Sequence, residues 1–209
     1  MPGMLEIKSF VFGPFQTNTY VVNTCECVYI IDPACYSQYE QQMLYAHVKS
    51  LFSGDIQADK LRIIATHGHL DHLWGAPWVC EQWNGPVWIH PADIPMAKDM
   101  QGQYDLFGIS KTAEPFPIQA FNPADPTLKG IEIIETPGHT PGSICLYWPE
   151  EKVLFSGDTL FQMGYGRTDL PGGSTSQLIQ SLERLFELPE DVRVYPGHGG
   201  FTTIAAEKR

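Results

Sequence analysis

Residues Thr66 to His72 read Thr-His-Gly-His-Leu-Asp-His, which puts four side chains able to bind a metal within six positions. Imidazole nitrogen and carboxylate oxygen, with no thiolate among them, suit zinc, iron or manganese. The chain has seven histidines in 209 residues, and three of them crowd here beside an aspartate. Chance placement does not give that density. The apolar run Leu61-Arg62-Ile63-Ile64-Ala65 stands directly before the cluster. A strand ending in such a loop delivers several donors to one small volume.

Three later junctions follow the same pattern. They are Thr136-Pro137-Gly138-His139-Thr140-Pro141-Gly142-Ser143, Leu154-Phe155-Ser156-Gly157-Asp158-Thr159 and Tyr195-Pro196-Gly197-His198-Gly199-Gly200. In each, an apolar run ends and a glycine precedes a His or Asp. Glycine permits φ > 0 or a close approach of the backbone to a bound ion. Alone, each reads as an ordinary Gly-His or Gly-Asp turn. Together, echoing the first cluster, they argue for a shared metal site.

The elements that must position these loops are legible in outline. Strands are expected over 4–12, 17–22 and 27–31, where β-branched and aromatic residues concentrate. Gly13-Pro14 separates the first two, and Asp32-Pro33 ends the third. Ser37 opens a helix, with Glu40 three residues on as a capping box. Met43, Leu44, Val48, Leu51 and Phe52 form its apolar face, His47 lies in it as a packing or surface residue, and Gly54 and Asp55 end it. A strand over 61–65 leads into the first ligand loop. A short helix is expected over 71–83, with Trp74 and Trp78 four apart, then a strand over 87–89. His90, in Ile89-His90-Pro91-Ala92-Asp93, reads as a structural residue of a strand-to-helix turn. Residues 95–130 are the least regular part, the kind of stretch that carries specificity or a lid, or forms a plain surface excursion. The second half brings strands over 131–135, 143–148 and 152–156. A second capping box, Ser174 with Gln177, precedes a helix whose face is Leu178, Ile179, Leu182, Leu185 and Phe186. A last strand covers 192–195. No linker divides the chain, and the expected arrangement is two sheets face to face with helices outside.

Composition narrows the class. Apolar residues make up 43% and charged residues 18%, a globular balance. The net charge is −11. The thirteen basic residues are scattered, whereas neutralising phosphates needs them clustered, so a nucleic-acid partner is not expected. Cys25, Cys27, Cys35, Cys80 and Cys145 lie in apolar or strand-like surroundings and read as reduced structural thiols. The alternative is a soft-metal pair in Cys25-Glu26-Cys27. Met1-Pro2-Gly3-Met4-Leu5-Glu6 lacks the basic and apolar segments of a signal peptide, and no run approaches membrane-spanning length. The expected setting is the cytoplasm, with a small-molecule partner and no membrane.

In their order along the chain, the four motifs resemble those of the metallo-β-lactamase superfamily of hydrolases. The resemblance runs from Asn18-Thr19-Tyr20 and Ile31-Asp32-Pro33 to His198. The stretch Gly166-Arg167-Thr168-Asp169-Leu170-Pro171-Gly172-Gly173 is similar to the glyoxalase II-type (hydroxyacylglutathione hydrolase-like) branch, especially its short single-domain members. The implied fold is α/β (α+β), a four-layer αββα sandwich of two packed mixed β-sheets with outer helices, as one domain over 1–209.

The resemblance also implies a site and a reaction. Two divalent metal ions are expected, zinc first, with iron or manganese as alternatives. His67, His69 and His139 would hold one, Asp71, His72 and His198 the other, and Asp158 would bridge them. A hydroxide shared by two such ions is a nucleophile at neutral pH, and Asp71 would act as both ligand and proton acceptor. The implied substrate is a thioester, an S-acylglutathione or a relative of one. Its thiolate leaves readily, so no Ser or Cys nucleophile is required. Asp32 matches an acidic strand-end residue of the family, either orienting a ligand histidine or making a plain Asp-Pro turn. Arg167 either faces a substrate carboxylate or pairs with Asp169 to brace its loop. Tyr165 stands where the branch has a small or aliphatic residue, and either projects toward the pocket or packs. Full-length glyoxalase II enzymes have a helical C-terminal region that contacts glutathione. Only eleven residues follow His198, so that region is not expected and the thiol carrier stays open. Two other reactions are carried by similar sequences. One is a mononuclear iron persulfide dioxygenase reaction, against which the Leu-Pro-Gly-Gly continuation argues. The other is hydrolysis of lactones or other esters.

Overall fold

Strands buried on both faces need a cover on both faces, and this chain has such strands in two places. A computed structural model describes residues 5–24, 26–52, 58–122, 128 and 130–208. In the first sheet, β1 (Glu6–Phe12), β2 (Thr17–Asn23) and β3 (Val28–Ile31) pair antiparallel. Then β4 (Leu61–Ile64), β5 (Val87–Ile89) and β6 (Ile118–Ala120) add in parallel, giving the order β1-β2-β3-β4-β5-β6. The second sheet is built from β7 (Glu132–Glu135), β8 (Ile144–Trp148) and β9 (Val153–Gly157). A small hairpin, β10 (Leu160–Phe161) with β11 (Gly164–Tyr165), follows β9. The strands β12 (Arg193–Pro196) and β13 (Thr202–Thr203) complete that sheet in the order β13-β12-β9-β8-β7, with β12 parallel to β9.

Side-chain alternation sorts the core into three layers. Tyr20, Tyr29, Ile31 and Ile64 meet Leu146, Trp148 and Phe155 between the sheets. Their neighbours Val21, Ile30 and Ile63 face the other way, onto α1 (Gln38–Ser50) and α3 (Ala76–Trp83). On the far side, Cys145, Leu154 and Val194 pack with Leu185 of α6 (Thr175–Leu185) and Ile204 of α7 (Ile204–Glu207). The order is helix, sheet, sheet, helix, the four layers expected.

Several local expectations need correcting. The helix over 71–83 is two helices, α2 (Leu70–Leu73) and α3, broken at Gly75. Gly75 donates its N–H to Pro33 O at 2.8 Å, and a Cβ there would collide with Cys35. Within 95–130 lie α4 (Ile94–Lys98), α5 (Met100–Leu106) and β6. Met43 and Ile179, assigned to apolar helix faces, are exposed. The box at Ser174 is half made: Ser174 Oγ accepts from Gln177 N, but the Ser174 N–H is already committed to Gly138 O at 2.7 Å. Cys25, Gly54, Asp55 and residues 1–4 lie outside the described residues. The other four cysteines are buried, and burial pushes the Cys35, Cys80 and Cys145 thiols up to about 12. Among the described residues, no helix is long and apolar enough to cross a membrane.

The box at Ser37 is complete and reaches further than expected. Glu40 Oε2 accepts from Ser37 N at 2.8 Å and Tyr36 N at 2.7 Å, while Oε1 accepts from Gly13 N at 3.0 Å. Glu40 thereby ties α1 to the β1–β2 turn. Burial pushes its carboxyl up, but these N–H bonds outweigh that and hold it below the ordinary value. Their stabilisation is present above the unfolded-state value and is lost as pH falls through the folded one. Glu40→Ala is expected to cost about 1–2 kcal/mol, read from urea unfolding at neutral pH. An unchanged midpoint would show that the tie carries no weight.

Candidate metal centre

Four strand ends bring the expected donors together. The loop after β4 supplies His67 and His69, the short helix α2 that follows it supplies Asp71 and His72, and the β7–β8 turn supplies His139. The ends of β9 and β12 supply Asp158 and His198. Two triads result, His67–His69–His139 and Asp71–His72–His198, and Asp158 joins His67 and His72 in a third grouping. Within each group the donor atoms lie within 4.8 Å of one another. Gly157, with φ 48°, turns the chain into Asp158. At Gly197 a Cβ would strike Asp158 Oδ1 and His72 Cε1.

The ring orientations follow from the hydrogen bonds behind them. Asp32 is buried with φ 53° and accepts from Thr66 N at 2.7 Å and Thr66 Oγ1 at 2.9 Å. Its Oδ2 also lies 2.9 Å from His72 Nδ1. A carboxylate only accepts, so Nδ1 of His72 carries a proton and Nε2 is the ring nitrogen turned toward the other donors. Thr66 Oγ1 has given its hydrogen to Asp32, so at 3.0 Å it accepts from His67 Nδ1 and leaves His67 Nε2 free. His139 Nδ1 donates to Arg167 O at 2.7 Å. Its Nε2, a lone pair, lies 2.8 Å from His69 Nδ1. Asp32 therefore orients two of the histidines, the stronger of the two roles open to it.

Arg167 makes the ion pair that one of the two expectations had, lines the cavity as well, and adds a contribution that neither expectation held. Its side chain does pair with Asp169, through Nε–Oδ1 and Nη2–Oδ2 bonds of 2.6 Å, both partners being exposed. Its contribution to the site is the backbone carbonyl that sets His139. Tyr165 is exposed and lines the cavity rather than packing. His90 accepts from Ala92 N and caps the turn, a structural place.

Other supports were not anticipated. Thr17 Oγ1 donates to Asp71 Oδ2 at 2.7 Å. Asn18 Nδ2 donates to Pro196 O and Gly199 O at 2.9 and 3.0 Å, bracketing His198. Asp93 has no exposed surface and clamps two ligand loops at once. Its Oδ2 accepts from Gly68 N at 2.8 Å and Thr140 Oγ1 at 2.6 Å, and its Oδ1 from Gly142 N at 2.6 Å. Gln103 holds the first loop from the other side, accepting from Leu70 N at 2.8 Å and donating to Gly68 O at 3.0 Å. The signal for Asp93 was present: an acid closes the turn after an apolar strand, as at Asp32.

The electrostatics divide the site. Burial, followed by the neighbouring His139, lowers His69 to about 3, and burial with His72 and His139 takes His67 well below its usual value. Both are neutral donors at physiological pH. Burial disfavours charge on His72 too, but Asp71, Asp158 and Asp32 overcome it and raise that ring well above the usual value. Against the same burial, bonds to Asp158 and Asp71 raise His198 to about 9. Three carboxylates thus call for positive charge in one buried volume. His67 Nε2, His72 Nε2 and Asp158 Oδ1 are buried without a hydrogen-bond partner. A bound cation satisfies such atoms and answers the carboxylates in one step. The nitrogen and oxygen donors fit divalent ions of the zinc, iron and manganese type.

Above the cluster opens a cavity of about 380 Å3, walled by Phe15, Phe107, Phe161, Tyr165 and Leu170, with His69, Asp71, His139, Asp158 and His198 in its lining.

A family model, the metallo-beta-lactamase superfamily, matches residues 12–198. The chain is 34% identical over 209 residues to the probable metallo-hydrolase YqgX of Bacillus subtilis, covering 94% of this chain and 91% of that protein. It is 38% identical over 153 residues to the hydroxyacylglutathione hydrolase GloC of Haemophilus influenzae, covering 70% of this chain and 72% of that one. Its fold matches a crystal structure of TTHA1623 in a di-iron-bound form with a TM-score of 0.83, at 34% identity over 97% of each chain.

Proposed function

We propose that this chain, which belongs to the metallo-beta-lactamase superfamily and is a metal-dependent hydrolase, hydrolyses thioesters at a two-metal centre. The observation that carries the reading is the pair of complete donor triads beneath an open cavity, with Asp158 in reach of both. In this reading His67, His69 and His139 would hold one ion and Asp71, His72 and His198 the other, with Asp158 placed to serve either. The relationship to a hydroxyacylglutathione hydrolase supports a thioester as the substrate class. The di-iron form of TTHA1623 makes iron as strong a candidate as zinc. The buried thiols of Cys35, Cys80 and Cys145 fit a reducing, cytoplasmic setting.

Bound ions would supply a water acidified to near-neutral pKa and Lewis acidity for the substrate carbonyl. The chain's residues supply the rest. Thr17, His72 and His198 all meet Asp71 at Oδ2, so Oδ1 is the oxygen available to take the proton of the attacking water. The water oxygen joins the acyl carbon, and the C–S bond breaks with its electron pair on sulfur. A thiolate with a pKa of about 8.5 leaves without a strong general acid. Asp32 keeps His67 and His72 aimed throughout, and the apolar cavity wall limits bulk water.

Elemental analysis of the purified protein, paired with a thioester assay, tests the reading. The expected result is two ions per chain and thioester turnover. One iron per chain with persulfide-dependent oxygen uptake would instead establish the oxidoreductase reading, in which Asp71, His72 and His198 have no metal to hold. His67→Ala is expected to lose metal and activity together, and full activity in that variant would overturn the mechanism.

A further inference from the structure

A second cavity, of about 330 Å3, opens beside the first and shares His69, Phe107 and Leu170 with it. The segment that reads as irregular in the sequence, α4 and α5, builds one wall through Met96, Leu106 and Phe107, and Leu170 and Pro171 build the other. Stacking of Phe15 on Trp74, and its edge contact with Phe107, hold the shared wall in place.

The few polar groups in this cavity are already committed. Gln103 gives both amide hydrogens to backbone carbonyls, Gly68 O and Met96 O, at 3.0 Å, and its oxygen accepts from Leu70 N. Asp99 caps α5 by accepting from Gly102 N at 3.1 Å. No Lys or Arg lines the cavity among the described residues, while Asp99 leaves a negative charge at its edge. An anionic group placed here would meet a like charge and find no free donor, so it is disfavoured. An alkyl chain would meet apolar wall and displace water, which is favourable.

We propose that this cavity is the subsite for an uncharged apolar arm of the substrate, so that the preferred thioesters carry an alkyl chain extending away from His69. The proposal rests on the thioesterase reading for its reaction, but the cavity is testable without it. Each buried methylene is expected to tighten binding about fourfold. Titration calorimetry of the metal-loaded protein with octanamide and acetamide compares two neutral ligands that share one carbonyl. Octanamide is expected to bind at least about tenfold more tightly. Leu106 is 60% exposed, so Leu106→Asp keeps the fold while placing a charge at the mouth, and it is expected to erase most of that preference. Equal affinities in the wild-type protein overturn the subsite whatever the variant does.

Two thioester series then assign the arm: straight acyl chains on N-acetylcysteamine, and acetyl thioesters of straight alkyl thiols. A kcat/KM that climbs with length in the first series gives the cavity to the acyl group, and in the second to the thiol. Turnover that is flat in both overturns the subsite and leaves the thioesterase reading standing. No turnover in either overturns the thioesterase reading, and the amide titration still decides the cavity.

Discussion

Asp158→Asn is expected to lower thioester hydrolysis by about 10²–10³-fold and to reduce the metal content of the purified protein. Asp158 is the residue that approaches both triads. Its Oδ1 lies 3.3 Å from His72 Nε2, and its Oδ2 lies 3.5 Å from His139 Nε2 and 3.4 Å from His198 Nε2. Burial works against its charge, but His72 and a bond from His198 hold its carboxyl well below the ordinary range. The carboxylate is therefore ionised and available to two cations. Asparagine keeps the shape, so packing is unaltered. It removes the charge, and it turns one acceptor oxygen into an N–H2 group that can neither bind a cation nor accept from His198. Elemental analysis, steady-state turnover and a thermal melt on one preparation separate these effects. Full metal content with normal turnover would remove Asp158 from the centre.

Asp93→Ala is expected to weaken metal binding by about 10–100-fold, although Asp93 is not among the donors. Its loss strands the Gly68 N–H, the Gly142 N–H and the Thr140 hydroxyl in a buried place. A buried group left without its partner costs about 1–3 kcal/mol, so the fold should lose about 3 kcal/mol or more. Gly68 stands between His67 and His69, and Thr140 follows His139. The clamp therefore governs the spacing of one whole triad. The electronic spectrum of cobalt-substituted protein reports that spacing directly. A lower melting temperature with an unchanged cobalt spectrum and affinity would reduce Asp93 to a structural residue.

These two residues differ in how they were legible. Asp158 announces itself locally: an apolar strand, a glycine and an acid, in a chain with matching junctions elsewhere. Asp93 offers an equal local pattern, but it stands beside His90, which has the more conspicuous chemistry and only caps a turn. Arg167 shows a related difficulty. Its guanidinium draws attention, yet its carbonyl orients His139, and a backbone oxygen leaves no mark in residue type. The helix break at Gly75 was hidden for another reason. Apolar periodicity runs through 71–83, and only the approach of the Pro33–Cys35 segment forces the interruption.

The sequence by itself carried the chemical types of the candidate donors, the strand ends that bear them, and the expectation of two sheets face to face with helices outside. Those are properties of residue type, period and near neighbours. Only the tertiary structure decided which lone pairs face inward, which carboxylates brace rather than bind, and where an apolar arm can lie. The reason is distance along the chain. Asp93 reaches Gly68 across 25 positions and Gly142 across 49, and Asn18 reaches Pro196 across 178. Contacts of that span come into being only when two sheets and their covering helices pack, and no window of sequence contains both partners.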